Sequence, residues 1–295
     1  MNLKELYASD KCVLSFELFP PKTDAGVADL MKAVGELAEH KPDYFTCTYG
    51  AGGSTRERTM SIAAGVRKQY GIPVASHLTC VGSTREQLRE YLNAASEQGI
   101  DYIVALRGDP PKGETAFRAV EGGLSFANEL VSMLRSEFPH FGIAVAGYPE
   151  IHQEALDEVS DLTNLKRKVD AGADVVITQL FYDNNDFFRF RDRCDSVGIS
   201  VPIVPGILPV LSLAQVQRIA NLCKAKLPAL FTDKLGQQTD EKWQFDVGVE
   251  HARQQCQELL DAGVPGIHFY VLNKSLATSL IIGQIDGLGQ ATQAV

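Results

Sequence analysis

The chain has 295 residues, of which 45% are hydrophobic and 22% charged, and it carries a formal net charge of −9. A chain of this size can bury a large core without disulfides or a structural metal. Its acidic balance argues against a general nucleic-acid binder, because phosphate backbones demand a clustered basic surface, but it leaves room for a local basic pocket around a phosphorylated cofactor. The six cysteines, Cys12, Cys47, Cys80, Cys194, Cys223 and Cys256, form no CxxC pair and mostly sit among apolar neighbours. They read as buried free thiols rather than metal ligands or a disulfide frame. The opening stretch MNLKELYASDKC has no signal-peptide apolar core, and no run approaches the ~18 apolar residues of a membrane span. A cytoplasmic protein with no membrane segment is the expectation.

Short β-rich runs alternate with longer helical stretches along the chain. Val13–Phe19 predicts a strand and the segment around Leu30–Ala38 a helix. Tyr44–Thr48 then leads into a helix over Arg56–Tyr70, and Val74–Leu78 into one over Thr84–Gln98. Tyr102–Leu106 opens a fourth unit, whose helix covers roughly Leu124–Glu137 after a Pro/Gly loop. Ile143–Tyr148, Asp174–Thr178 and Val201–Ile207 are three further strands, each followed by a helical pattern. Pro228–Lys242 reads as an extension before a long helix over about Trp243–Ala262. Gly266–Tyr270 is the eighth strand and Ser275–Ile282 its helix, with a small, polar, frayed tail after Gly287. Eight such units suit an α/β fold of the (β/α)₈ TIM-barrel type, occupying 1–295 as one domain; an open doubly wound sheet is the rival that strand count alone does not exclude.

In a parallel barrel, side chains alternate between interior and helical layer, and chemistry gathers at the C-terminal strand ends. Leu14, Phe16 and Leu18 share one parity and suit the helix-facing layer, so Ser15 and Glu17 point inward, with Glu17 at the mouth. Other strands also end on polar residues: Thr46 and Thr48, His77, Arg107 with Asp109, Tyr148, Gln179, and His268 with Tyr270. A purely structural barrel would fill these places with Val, Ile or Ala. Each has a bland reading as well. Glu17 reads equally as a buried acid paired with Arg107, His77 as a core histidine bonded to a backbone carbonyl, and Asp109 as a turn residue before Pro110. The coincidence on one face favours a site.

A second cluster lies in Asp161–Lys168. Leu162, Leu165 and Val169 form its apolar stripe, while Asp161, Asn164 and Lys168 share another face, with Arg167 one turn beyond Asn164. This is either a solvated basic face or a grip on a cofactor, with carboxylate to ribose hydroxyls, amide to a polar linker and cations to a pyrophosphate. There is no GxGxxG after a strand, no GxxxxGK[ST], no HExxH and no GxSxG, and the Gly50-Ala51-Gly52-Gly53 turn is a weak phosphate signal. A dinucleotide bound here sits outside a Rossmann frame.

Several runs together carry a family resemblance. SFELFPP at Ser15–Pro21, TYGA at Thr48–Ala51, HLTC at His77–Cys80 and ALRGD at Ala105–Asp109 are followed by GYPEIH at Gly147–His152 and NLKRK at Asn164–Lys168. ITQ at Ile177–Gln179, GILP at Gly206–Pro209 and HFYVLN at His268–Asn273 complete the set, in order across nearly the whole chain. In these blocks the chain resembles the methylenetetrahydrofolate reductases, and in length their bacterial, single-domain form. The resemblance implies a barrel holding FAD at the strand C-termini and reducing 5,10-methylenetetrahydrofolate to 5-methyltetrahydrofolate with NADH or NADPH, by a ping-pong route that supplies methyl groups for methionine synthesis. A homo-oligomer is expected.

Matched motif by motif, the resemblance implies FAD contacts from Tyr49, Ala51, His77, Arg107, Gly108, Asp109, Ala127, Tyr148, His152, Asp161, Asn164, Arg167 and Lys168. Thr48 and Gln179 match positions near the nicotinamide, and Asp109, Gln179 and Gln215 positions that hold the folate. Two positions depart from the family pattern. Ile219 stands where some bacterial members carry a Phe against the nicotinamide, and Lys274 where members carry a folate-contacting Arg, which keeps the charge without bidentate geometry. The implied chemistry needs an acid beside the folate amine leaving nitrogen. Glu17, flanked by Phe16 and Leu18, is expected to have its pKa raised from the ordinary ~4.3 towards neutrality for that role. Asp109 is expected to stay ionised, held by Arg107 or backbone donors, and to bind the pterin N–H groups. The rivals are a flavin barrel oxidising an amino acid such as proline, as in a proline dehydrogenase-like enzyme, and a non-enzymatic ligand-binding barrel.

Overall fold

The computed structural model describes residues 3–9, 11–49, 56–110, 113–114 and 116–288. A short helix α1 (Leu3–Tyr7) precedes β1 (Val13–Leu18), α2 (Asp24–Ala38), β2 (Tyr44–Cys47), α3 (Arg56–Tyr70), β3 (Val74–Thr79) and α4 (Arg85–Glu97). Then follow β4 (Tyr102–Leu106), α5 (Ala127–Glu137), β5 (Gly142–Gly147), α6 (Glu158–Asp170), β6 (Val175–Thr178) and α7 (Asn184–Ser196). The last stretch holds β7 (Ile203–Val204), β8 (Gly206–Ile207), α8 (Leu213–Cys223), α9 (Ala229–Leu235), α10 (Glu241–Asp261), β9 (Gly266–Tyr270) and α11 (Leu276–Ile282). All pairings are parallel, in the order β7-β6-β5-β4-β3-β2-β1-β9-β8. This is a (β/α)₈-type barrel whose seventh strand is split in two, one half pairing with β6 and the other with β9.

Pro205 makes the split. It has no N–H to give a ladder, but its carbonyl still accepts from His268 N–H at 3.0 Å. Gly206 then donates its N–H to Thr178 Oγ1 at 3.0 Å, and Tyr270 Oη donates to the Thr178 carbonyl at 2.6 Å, so side-chain bonds span the seam. A Cβ on Gly206 would lie 2.3 Å from the Thr178 carbonyl oxygen, which leaves room for glycine alone.

The alternation expected for β1 holds. Leu14, Phe16 and Leu18 pack with Leu30, Val34 and Leu37 of α2 in the main core, while Val13 belongs to a separate cluster with Tyr44, Ala75, Val104, Ala144, Val175 and Val204. That second cluster is the barrel interior. Its floor is α1, whose Leu3, Leu6 and Tyr7 are buried in it, with Tyr7 Oη 2.8 Å from Tyr44 Oη. Five residues are too few to show helical periodicity, so α1 is absent from the expected elements. The interior is apolar below and polar above, which directs chemistry to the C-terminal mouth.

Most helices begin on a side-chain cap. Thr84 and Gln87 form a capping box on α4, Asp157 and Ser160 one on α6, and Ser212 caps α8 through Gln215 N–H. The fifth helix starts at Ala127, three residues later than expected. Leu124 is fully buried in the preceding loop, and the Glu129 carboxylate closes the N-terminus by accepting from Ser125 and Phe126 N–H. The extension before the long helix contains α9, which with α8 and α10 builds a third cluster around Phe231, Leu235 and Val247. The expected frayed tail lies mostly in 289–295, outside the described residues.

Candidate active site

At the mouth, Glu17 is buried, with 7% exposure, among inward-facing side chains of four strands. Its Oε2 lies 3.3 Å from His77 Nε2 and 3.8 Å from His268 Nε2. Register explains the meeting: Glu17 sits level with Thr46 on one side and Tyr270 on the other, and Ser15 with His268. Ser15 Oγ is 2.8 Å from His268 Nδ1 and so orients that ring. Burial lowers the His77 pKa, opposed by the Glu17 charge, so at neutral pH the imidazole is uncharged. Burial, then the charge of Glu17, pushes the Tyr270 hydroxyl well up, so it stays a neutral donor. Two interior-parity hydroxyls, Thr46 Oγ1 and Thr79 Oγ1, are buried without a hydrogen-bond partner among the described residues.

Beside the mouth, between the ends of β4 and β5 and the start of α6, opens a crevice of about 570 Å³. Lys168 reaches back to donate to the Ala146 carbonyl, and burial brings its ammonium down to about 8 against the pull of Asp161. Asp161 Oδ2 accepts the His152 N–H at 3.1 Å; burial raises its carboxyl, opposed by that bond and by Lys168. His152 Nδ1 accepts the Glu154 N–H at 3.1 Å, its ring stands edge-on to Tyr148 at 4.6 Å, and burial lowers its pKa. The proton of the neutral ring is therefore on Nε2. Arg167 donates to Asn164 Oδ1 at 3.1 Å on the same wall. Carboxylate, amide and two cations thus line one face of α6, as their helical spacing predicts.

The structure gathers eight of the expected cofactor residues in this crevice: Arg107, Ala127, Tyr148, His152, Asp161, Asn164, Arg167 and Lys168. His77 lies at the mouth instead, with Glu17. Gly108 adopts φ +90°, and a Cβ there would press on Val81 and Thr79, so the chain turns tightly against β3. Tyr49 faces the helical layer, its hydroxyl accepting from Arg56 Nε at 2.7 Å. Ala51, with Gly50, Gly52 and Gly53, lies outside the described residues. Thr48 follows β2, half-buried, its carbonyl accepting from Thr59 Oγ1. Gln179 has the inward parity of Val175 and Ile177, with Oε1 accepting the Leu180 N–H at 2.8 Å. Gln215 sits in the first turn of α8 and accepts the Leu211 N–H at 2.8 Å, while Ile219 packs against the third cluster. Lys274 is exposed, just after Leu272 and Asn273, which have positive φ.

Three expected pairings are corrected. Arg107 pairs neither with Glu17 nor, at bonding distance, with Asp109. Its guanidinium forks onto Glu154, Nη1 to Oε2 at 2.6 Å and Nη2 to Oε1 at 2.8 Å. The reason is parity: Arg107 continues the outward set of Ile103 and Ala105, so it points to the crevice while Glu17 points to the interior. Asp109 is exposed beyond it, and its charge acts on Tyr148 and Cys223. His77 meets a carboxylate rather than a backbone carbonyl. Glu154 escaped sequence reasoning, because an exposed loop acid has no periodicity to betray it. His268 was visible as a polar strand end, and its bond to Ser15 follows from register alone. Among the described residues no helix is long and apolar enough to cross a membrane, and no group of three or more His, Cys, Asp or Glu is placed to hold a metal ion.

The family profile "Methylenetetrahydrofolate reductase" matches residues 2–286. The chain is 38% identical over 299 residues to methylenetetrahydrofolate reductase (NADH) 1 of Arabidopsis thaliana, covering 97% of this chain and 50% of that one. It is 41% identical over 263 residues to 5,10-methylenetetrahydrofolate reductase of Escherichia coli (strain K12), covering 89% and 86%. It therefore spans about half the length of the plant relatives it matches, and most of the bacterial one. Among solved structures, an uncharacterized protein from Clostridium thermocellum that binds two copies of 5-methyl-5,6,7,8-tetrahydrofolic acid superposes with a TM-score of 0.66 at 14% identity, covering 95% of each chain. That last likeness speaks for the fold alone. Matched from end to end and sharing about two residues in five with its bacterial relative, the chain belongs to the methylenetetrahydrofolate reductase family.

Proposed function

We propose that the protein reduces 5,10-methylenetetrahydrofolate to 5-methyltetrahydrofolate, with NADH or NADPH as donor and FAD as resident cofactor. The observation that carries this reading is a buried carboxyl, Glu17, at the barrel mouth beside a basic crevice. The crevice, at about 570 Å³, lies within the ~300–1,000 Å³ usual for cofactor sites. Its donor set suits a dinucleotide: Arg107, Arg167 and Lys168 for the pyrophosphate, Asp161 for ribose hydroxyls, Asn164 for the polar linker. The unpartnered hydroxyls of Thr46 and Thr79 are further polar groups that a ligand at the mouth satisfies. Bound FAD would supply the redox chemistry, taking a hydride from the nicotinamide and delivering it to the folate one-carbon unit.

The chain's own residues do the rest. Glu17 gives a proton to the folate amine nitrogen that leaves as the five-membered ring opens, and His77 and His268 hold its carboxyl in place. Asp109, exposed at the loop after β4 and free of any ion pair within bonding distance among the described residues, receives the pterin N–H groups and favours the cationic form of the opened ring. Gln179 serves the position shared by nicotinamide and folate, with Thr48 beside the nicotinamide, so the two substrates react in turn. Gln215 and Lys274 reach the folate from the α8 and β9 sides. The product carries a methyl group fit for methionine formation. The Arabidopsis relative's name specifies NADH, which supports that donor. Purified protein should be yellow, NADH or NADPH should bleach its flavin, and sustained oxidation should follow when methylenetetrahydrofolate is added. A colourless protein that takes up no FAD from solution would sink the proposal.

A further inference from the structure

Arg107 and Glu154 stand on neighbouring loops, after β4 and β5, at the rim of the crevice. Two parallel bonds of 2.6 and 2.8 Å join them, and Arg107 Nε also donates to the Gly108 carbonyl at 3.1 Å. The guanidinium lies over the Phe117 ring, 5.0 Å from its centroid. All three guanidinium nitrogens are thus engaged. Glu154 is fastened in turn, because its own N–H donates to His152 Nδ1 at 3.1 Å. The other two cations on the crevice wall differ: Lys168 donates to a carbonyl and Arg167 to an amide, and among the described residues neither has a carboxylate within 4.0 Å. The bond to Glu154 holds that acid's pKa down and raises that of Arg107, so both are charged at neutral pH.

We propose that Glu154 is a latch on cofactor affinity: it occupies the Arg107 fork and must yield it to the cofactor's phosphates, so that it weakens retention. The inference rests on the reading of the crevice as the FAD site. Bidentate carboxylate and phosphate compete for the same planar set of donors, and a carboxylate left in place repels the incoming phosphate. Yielding is inexpensive, because the Glu154 side chain is 41% exposed and that of Arg107 22%, where solvent screens the pair. The arrangement keeps a lone cation off the rim before the cofactor arrives and lets the cofactor leave.

The test is FAD titration of the apoprotein, followed by flavin fluorescence, in wild type, Glu154→Gln, Arg107→Gln and the double variant. Glu154→Gln should bind FAD more tightly by roughly three- to thirtyfold, the scale of giving up one partly screened, charge-assisted carboxylate–guanidinium pair. In the Arg107→Gln background the gain should vanish. Unchanged or weaker binding by Glu154→Gln overturns the latch, and makes Glu154 a support for Arg107. Equal tightening in both backgrounds overturns it too, because Glu154 would then act as a distant charge. A wild type that binds no FAD sinks the cofactor reading itself, an outcome distinct from FAD binding that ignores Glu154.

Discussion

Glu17 and His77 meet across the top of the barrel at 3.3 Å although a whole strand, β2, runs between theirs. They reach each other because the residue level with Glu17 on that strand is Thr46, whose side chain is short. Burial lowers the His77 pKa, so the contact with Glu17 is not a permanent ion pair at neutral pH. This relation has a stability consequence. A histidine whose folded pKa lies below its unfolded value of ~6.5 contributes nothing adverse above that pH, and costs stability as pH falls through 6.5 towards the folded value. Glu17 and His268 are the titratable groups facing it. Thermal stability should therefore fall below about pH 6.5, and His77→Gln should flatten that fall. An unaltered profile in the variant would mean that His77 is not the group titrating.

Glu17→Gln should separate the two halves of the reaction. Delivery of hydride from NADH or NADPH needs no proton given to folate, so the variant should still bleach the flavin with the nicotinamide. Reoxidation by methylenetetrahydrofolate should slow by ~10²–10⁴-fold, the usual contribution of a positioned acid. Stopped-flow absorbance reads both halves. Equal loss in both would make Glu17 a structural group, and loss in neither would remove it from the mechanism.

Gly206→Ala should test the seam. The new methyl group would meet the Thr178 carbonyl at 2.3 Å and the Tyr270 ring at 2.6 Å, and both belong to the bond that spans the split strand. A cost of ~1–3 kcal/mol is expected from such overpacking, seen as a fall in Tm. Tyr270→Phe removes only the bond to Thr178 and should cost ~0.5–1.5 kcal/mol. If alanine is tolerated without loss, the seam is looser than these distances imply.

Most of the scaffold is legible in the sequence because it is periodic. Leu14, Phe16 and Leu18 against Ser15 and Glu17 reveal which face of β1 is interior, and the α6 spacing puts Asp161, Asn164 and Lys168 on one wall. What resists reading is contact between loops. Nothing in the spacing of Arg107 and Glu154 announces that they meet, and an acid nearer in sequence, Asp109, was the expected partner. Alternation carried past the end of β4 turns Arg107 outward, so the same rule that located Glu17 excluded their pairing. The break at Pro205 corrects the sequence reading, which took Val201–Ile207 as one strand; proline's missing N–H interrupts the ladder there. That closure would survive it required Thr178 and Tyr270, which lie 92 residues apart.

Gln179 makes the kinetics a test of the shared site. It follows β6 on the inward parity, and its Oε1 accepts the adjacent Leu180 N–H, while among the described residues its amide N–H groups make no hydrogen bond and can meet a ligand. If nicotinamide and folate occupy this place in turn, double-reciprocal plots should be parallel. Gln179→Ala should raise KM for both substrates, not one. Intersecting lines would show that both are bound together, and would count against the shared position.

Lys168 should make cofactor binding depend on pH in a window of its own. Burial brings its pKa to about 8, so it is charged below that value and neutral above it. An anionic pyrophosphate prefers the charged form, and binding raises the ammonium's pKa again; affinity should therefore be level below about pH 7 and fall as pH rises past 8, at most about tenfold per unit. The neighbouring groups do not titrate there. His152 is lowered from 6.5, Tyr148 is pushed well above 10, Arg107 is raised by its bond to Glu154, and Asp161, though raised from 3.8, is a carboxylate with Lys168 and the His152 amide opposing the rise. FAD titrations from pH 6.5 to 9.5 should show the fall in wild type and lose it in Lys168→Gln. Arg167→Gln should weaken binding evenly at every pH, because a guanidinium stays charged throughout. Each substitution should cost roughly ten- to hundredfold in Kd at pH 7, the worth of a charge-assisted bond of ~1.5–3 kcal/mol. If the double variant binds FAD as wild type does, α6 is not the wall that grips it.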